Sequence, residues 1–146
     1  MKFLTKLSSM LSVIVLALGA ASPPAAAIGG TTGTVTLKIS GIIKSPTASG
    51  ASQAICTLTV TTDDPFMQTE TAVQNASVSA GKFTCTMTVD YVWHLKNPST
   101  SLITASYLVE LVDGGNASVP RTSGAIFQDP FAAHGTGLTA SINVTL

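Results

Sequence analysis

Charge is scarce in this chain. Lysine, arginine, aspartate and glutamate make up 10% of 146 residues, seven basic against seven acidic. No basic footprint of the kind that neutralises phosphates is present, which excludes charge-driven nucleic-acid binding. Aromatic residues supply 5% of the chain, and histidine occurs twice. Any histidine-based acid–base mechanism must therefore use His94 or His134, and no nearby pattern places either as a catalyst. The chain has no Gly-x-Ser-x-Gly, no His-Glu-x-x-His and no glycine run that follows a strand and opens a helix. Esterase-type, zinc-protease and phosphate-loop chemistry thus lack their parts. Beyond residue 28, no segment repeats apolar residues at helical spacing for three turns.

What is present begins with an export signal. Lys2 and Lys6 precede an apolar run, residues 10–21, and Ser22-Pro23-Pro24 breaks that run before Ala25-Ala26-Ala27. This order predicts a secretory signal over residues 1–27, cleaved before Ile28, and a domain over 28–146. The apolar run is too short for a membrane span, which needs about 20 residues, so no transmembrane anchor is expected after cleavage. The remaining chain carries five basic and seven acidic residues, and threonine and serine fill 32 of its 119 positions. β-Branched, charge-poor composition suits a pleated surface better than a helix.

Period-two alternation recurs through all of the exported part. Strands are predicted over residues 34–43, 54–62, 72–79, 82–94, 102–112, 122–128 and 138–146, separated by Gly, Pro, Asn and Ser turns. Ala80-Gly81 is expected to join the third and fourth as a hairpin, and Gly41 to mark a bulge. Seven strands, each with one apolar face, define an all-β fold: a single antiparallel β-sandwich, immunoglobulin-like. A closed barrel gives the same periodicity.

Cys56-Thr57-Leu58-Thr59-Val60 and Cys85-Thr86-Met87-Thr88-Val89 share one pattern, and each cysteine opens an inward-facing apolar triplet. Two cysteines in a small exported domain predict one disulfide, Cys56–Cys85. Closing a loop of roughly 30 residues stabilises by about 3.5 kcal/mol in the chain-entropy account. Neither a Cys-x-x-Cys nor a nearby histidine completes a metal or redox site, so no metal and no cofactor are expected.

Asp63, Asp64 and Glu70 form the densest acidic group, but they lack the alternating oxygen ladder and turn glycine of a calcium loop and read as a solvated turn. Asn75, Asn116 and Asn143 open formal glycan-acceptor triplets. Tyr91 and Trp93 alternate onto the side of Cys85 and Met87, which assigns them to the core. Two loops put apolar residues where polar ones are usual: Phe66 and Met67 in one, Phe127 and Phe131 in the other. These four are the candidate partner-binding residues.

The first and last predicted strands are strong, and a terminal strand can pair within its own sheet or add to a neighbour's edge. Gly33-Thr34-Val35-Thr36-Leu37-Lys38-Ile39, followed by Gly41, resembles the N-terminal donor segment of chaperone–usher pilins. That resemblance implies strand addition between subunits, with Val35, Leu37 and Ile39 as the inserting residues. The first cysteine lies later than that family places it, and Val144-Thr145-Leu146 lacks the tyrosine usual next to last. A self-complete sandwich, with those three residues in its own core, is therefore the first expectation.

Function is expected to be non-enzymatic: a structural or interaction module, secreted, periplasmic or cell-surface, with a protein partner or self-association. The alternatives are a pilin-like fibre subunit assembling by donor-strand addition, and a small secreted hydrolase or metal-dependent binder built from loops.

Overall fold

A computed structural model describes residues 31–113, 116–131 and 137–146, with the backbone alone at 116–120. The signal segment, the cleavage point and His134 lie outside the described residues. The strands are β1 (Thr31–Ile42), β2 (Gln53–Thr62), β3 (Thr69–Ser77), β4 (Lys82–Trp93), β5 (Leu102–Asp113), β6 (Asn116–Pro130) and β7 (Leu138–Thr145). They form a three-stranded sheet in the order β4-β1-β7 and a four-stranded sheet in the order β3-β2-β5-β6. The fold is a seven-strand β-sandwich.

Alternation decides which face each strand buries. In β4 every second residue from Phe83 to Trp93 is buried and every intervening one is exposed. Each side-chain row then meets one environment only, because successive residues point to opposite faces. Val35, Leu37 and Ile39 from β1, Leu58 and Val60 from β2, and Ile103, Val109 and Leu111 from β5 fill the interior with no more than trace exposure. Cys56 on β2 and Cys85 on β4 are joined across the two sheets, with Cα atoms 6.4 Å apart.

Three features differ from the sequence expectation. Ala80 and Gly81 do make a tight turn, both at positive φ (49° and 69°), with Ser79 and Lys82 exchanging backbone hydrogen bonds at 2.9 and 3.0 Å. Pairing ends there: β3 bonds to β2 and β4 to β1, so the turn is a corner between sheets rather than the tip of a hairpin. Gly41 is not a bulge, since β1 runs in unbroken register against β4, with Gly41 opposite Phe83. A Cβ at Gly41 would lie 2.0 Å from the Phe83 ring, so glycine is required by the ring that covers it. Finally, β6 is 15 residues long rather than seven. Register irregularities opposite Ala105/Ser106 and Glu110/Leu111 absorb its misfit: Val119 and Pro120 fall between the paired Ser118 and Arg121. Proline, which has no N–H to give a ladder, is accommodated at such a place on an edge strand.

One pair departs from the antiparallel rule. β7 lies parallel to β1, from Val35 opposite Leu138 to Ile42 opposite Thr145. β1, the first strand of the described residues, is consequently the centre of its sheet, held on both sides.

Candidate functional site

The turn between β2 and β3 carries two adjacent exposed large apolar side chains, one of them, Met67, the most exposed such side chain of the described residues; Val92 on β4 and Val73 on β3 are exposed to about the same extent as Phe66. Phe66 is 62% and Met67 76% exposed. Beneath them Asp64 is 1% exposed. Its Oδ2 accepts hydrogen bonds from Lys96 N–H at 2.8 Å, Asn97 N–H at 3.2 Å and the Ser101 hydroxyl at 3.1 Å. Its Oδ1 accepts from Phe66 N–H at 3.3 Å, closing a local Asx turn. Burial pushes this carboxyl's pKa upward. The hydrogen bonds from Asn97, Phe66, Ser101 and Lys96 outweigh that and hold it below its ordinary value.

Neighbouring contacts lock the same turn. Asp63 Oδ1 accepts from Leu102 N–H at 2.6 Å, and Met67 N–H donates to Asp64 O at 2.7 Å. The Gln68 side chain grips the backbone of His94 twice: Nε2 donates to its carbonyl and Oε1 accepts from its N–H, both at 3.2 Å. The β2–β3 turn and the loop after β4 therefore behave as one body. Asp64 is not the solvated residue that its sequence implied, whereas Asp63 is exposed while its carboxylate holds Leu102 N–H. Most donors to the two carboxylates come from more than thirty residues away: the N–H groups of Lys96, Asn97 and Leu102 and the Ser101 hydroxyl. Nothing in the sequence pointed to the distant donors.

Met67 holds φ at 40°. This left-handed conformation favours glycine or asparagine and costs a larger residue about 1–2 kcal/mol. A bulky apolar residue is thus kept, exposed, where a small or polar one would be cheaper.

The other candidates are placed differently. Phe131, directly after β6, is 3% exposed and packs edge-on to Tyr91, with ring centroids 6.2 Å apart. It also meets Trp93 at 6.2 Å, while Tyr91 and Trp93 stack at 4.5 Å. It is a core residue and presents no surface for a partner. Phe127 lies on β6 rather than in a loop and is half-buried against the core. Phe66 and Met67 are accordingly not joined by Phe131 in one surface. Val35, Leu37 and Ile39 are fully buried within their own chain. Burial raises the Tyr91 phenol's pKa above its ordinary value.

Potential chemistry elsewhere is neutral. A shallow concavity of about 440 Å³ on the outer face of the four-stranded sheet is lined by Thr57, Thr59, Ser106, Tyr107, Leu108, Ser123 and Gly124. It offers hydroxyls and no charge. Among the described residues no three His, Cys, Asp or Glu side chains gather as they would to hold a metal. His94 is exposed, with its backbone rather than its ring held by Gln68.

These features define a disulfide-linked β-sandwich with a rigidly mounted apolar tip. Comparison of the chain with protein families, curated proteins and solved structures finds no match.

Proposed function

We propose that the protein is an exported, non-enzymatic interaction module at or outside the cell envelope, and that it engages a protein partner through Phe66 and Met67. The supporting observation is the Met67 conformation. Two large apolar side chains stand in water on a turn fixed by a buried carboxylate, one of them at a backbone angle that penalises it. Strain of this kind at the surface is retained where the side chain itself is used. Preorganisation also lowers the ordering cost of binding, so a small aromatic and methionine patch can act as an anchor. The Cys56–Cys85 bond fits an oxidising compartment.

The test compares the native chain with Phe66→Ser/Met67→Ser for retention on envelope preparations of the producing cell. Retention should fall sharply in the double variant, with an unchanged or higher melting temperature because both side chains are exposed. Equal retention of the two proteins would refute the assignment.

A second reading, a fibre subunit linked by strand addition, draws on one observation. β1 is the N-terminal strand of the described chain and the only bond between β4 and β7 within their sheet. Donated to a neighbour, it would leave a groove that another copy's β1 could fill. Ladders that survive mild detergent on a gel favour this reading, and a sharp monomer peak opposes it.

A further inference from the structure

The sandwich guards its sheet edges unequally. β3 and β4 border each other on one side, and glutamines from the β3 side cover the β4 edge. Gln74 Oε1 accepts from Thr86 N–H, and Gln68 takes both backbone groups of His94. β6, the edge on the other side, carries Pro120, Arg121, Asp129 and Pro130 and two register irregularities. Prolines, charges and bulges are the devices by which sheets prevent edge-to-edge pairing. β7 has none of them. Its eight residues, LTASINVT, include no charge, no proline and no glycine, and among the described residues it pairs with β1 alone.

The free groups can be identified. Leu146 N–H donates to Ile42 O at 3.0 Å, so the even-numbered residues of this stretch turn their backbone groups toward β1. Successive residues of a strand point their N–H and C=O to opposite sides. Thr139, Ser141, Asn143 and Thr145 therefore present theirs to the open edge. Beside that edge the interior face is incompletely covered: three strands lie opposite four, and Ala140 and Ile142 of β7 and Ile126 and Phe127 of β6 are only half-buried.

We infer that β7 is a self-association edge whose occupant is β7 of a second copy, paired antiparallel across a two-fold axis. A two-fold sets the strand against its own copy, so any charge near the axis would meet its like, a repulsion that a neutral strand avoids. β7 is neutral throughout. Its solvent face would set threonine, serine and asparagine against one another. This molecule already makes such cross-strand hydroxyl pairs, Thr36 with Thr88 at 3.1 Å and Thr61 with Thr69 at 2.9 Å. The second copy's strand would also extend the three-stranded sheet over the uncovered flank of β6. A continuous six-stranded sheet, β4-β1-β7-β7-β1-β4, results.

Sedimentation velocity of the oxidised chain over a dilution series, with residue-resolved hydrogen exchange, tests this. A concentration-dependent dimer is expected, in which the Ser141 and Asn143 amides are protected and lose protection on dilution. Ser141→Pro removes an edge N–H that the fold does not use, and Ser141→Lys changes only an exposed side chain while setting like charges near the axis. Each should yield monomer at concentrations where the native chain is dimeric, and Ser141→Lys alone decides the matter should the proline variant fail to fold. A chain that is monomeric throughout, or a dimer that persists in folded Ser141→Lys with its β7 amides exchanging freely, would overturn the inference. The second pattern is what exchange of β1 would give.

Discussion

Two glycines in this sandwich exist for the sake of aromatic neighbours. The ring of Phe83 lies over Gly41 on the adjacent strand, and the ring of Tyr107 lies over Gly124, where an added Cβ would come within 3.0 Å of Cε1. An aromatic folded over a strand glycine restores apolar contact that the missing side chain cannot make. Gly41 is the tighter case, because Phe83 is 4% exposed and has little room to withdraw. Gly41→Ala should therefore destabilise by about 1–3 kcal/mol, the usual result of overpacking a filled interior. Phe83→Leu should relieve most of that clash, so a double-mutant cycle in urea should return a clear coupling between the two sites. Additive effects, or a Gly41→Ala loss below about 0.5 kcal/mol, the level of an ordinary surface change, would show that the ring moves freely.

Between elements, the two strongest ties are the disulfide and Asp64, and they differ in how readable they were. The shared Cys-Thr-apolar-Thr-Val pattern put both cysteines on inward faces, so the bond was legible; that it joins the two sheets was not. The seven strands were legible for the same reason: alternation is a local signal. Strand partnership is not local. Ala80-Gly81 has the chemistry of a hairpin turn, yet β3 and β4 diverge, β3 pairing with β2 and β4 with β1 along their lengths. Likewise Phe131 lies in a stretch that reads as loop, and only the three-dimensional position of Tyr91 and Trp93 makes it core. Asp64 follows suit, since its donors Lys96, Asn97 and Ser101 belong to another loop. Its lowered pKa has a definite sign in stability. The folded state prefers the ionised form more than the unfolded chain does. Its contribution is complete above the ordinary carboxyl value of 3.8 and fades as pH falls through the lower folded-state value. Asp64→Asn should thus melt lower than the native chain at neutral pH, and the gap should narrow as pH drops below 3.8. A gap that stays constant with pH would show that the ionised form carries no special role.

At the scale of the whole molecule, the unusual fact is that the first described strand is central. β1 alone connects β4 with β7, and it contributes Val35, Leu37 and Ile39, all fully buried. Fully burying a branched apolar side chain stabilises by roughly 1.5–3 kcal/mol. Three of them, together with two backbone ladders, amount to as much as the whole margin of a typical domain. A chain beginning after Ile42 should therefore not fold alone, leaving two strands of one sheet unpaired over an apolar groove. Supplying residues 31–42 as a separate peptide should restore the sandwich, since the ladder with β4 and the parallel ladder with β7 need no covalent link to residue 43. Circular dichroism and size-exclusion of the truncated chain with and without peptide would read this directly. The same peptide with Leu37→Asp, which places a charge at a position with no solvent access, should fail to rescue. Folding of the truncated chain by itself would mean that β4 and β7 can close on each other. β1 would then be an accessory strand rather than the keystone of its sheet, and the strand-addition reading would lose its structural basis.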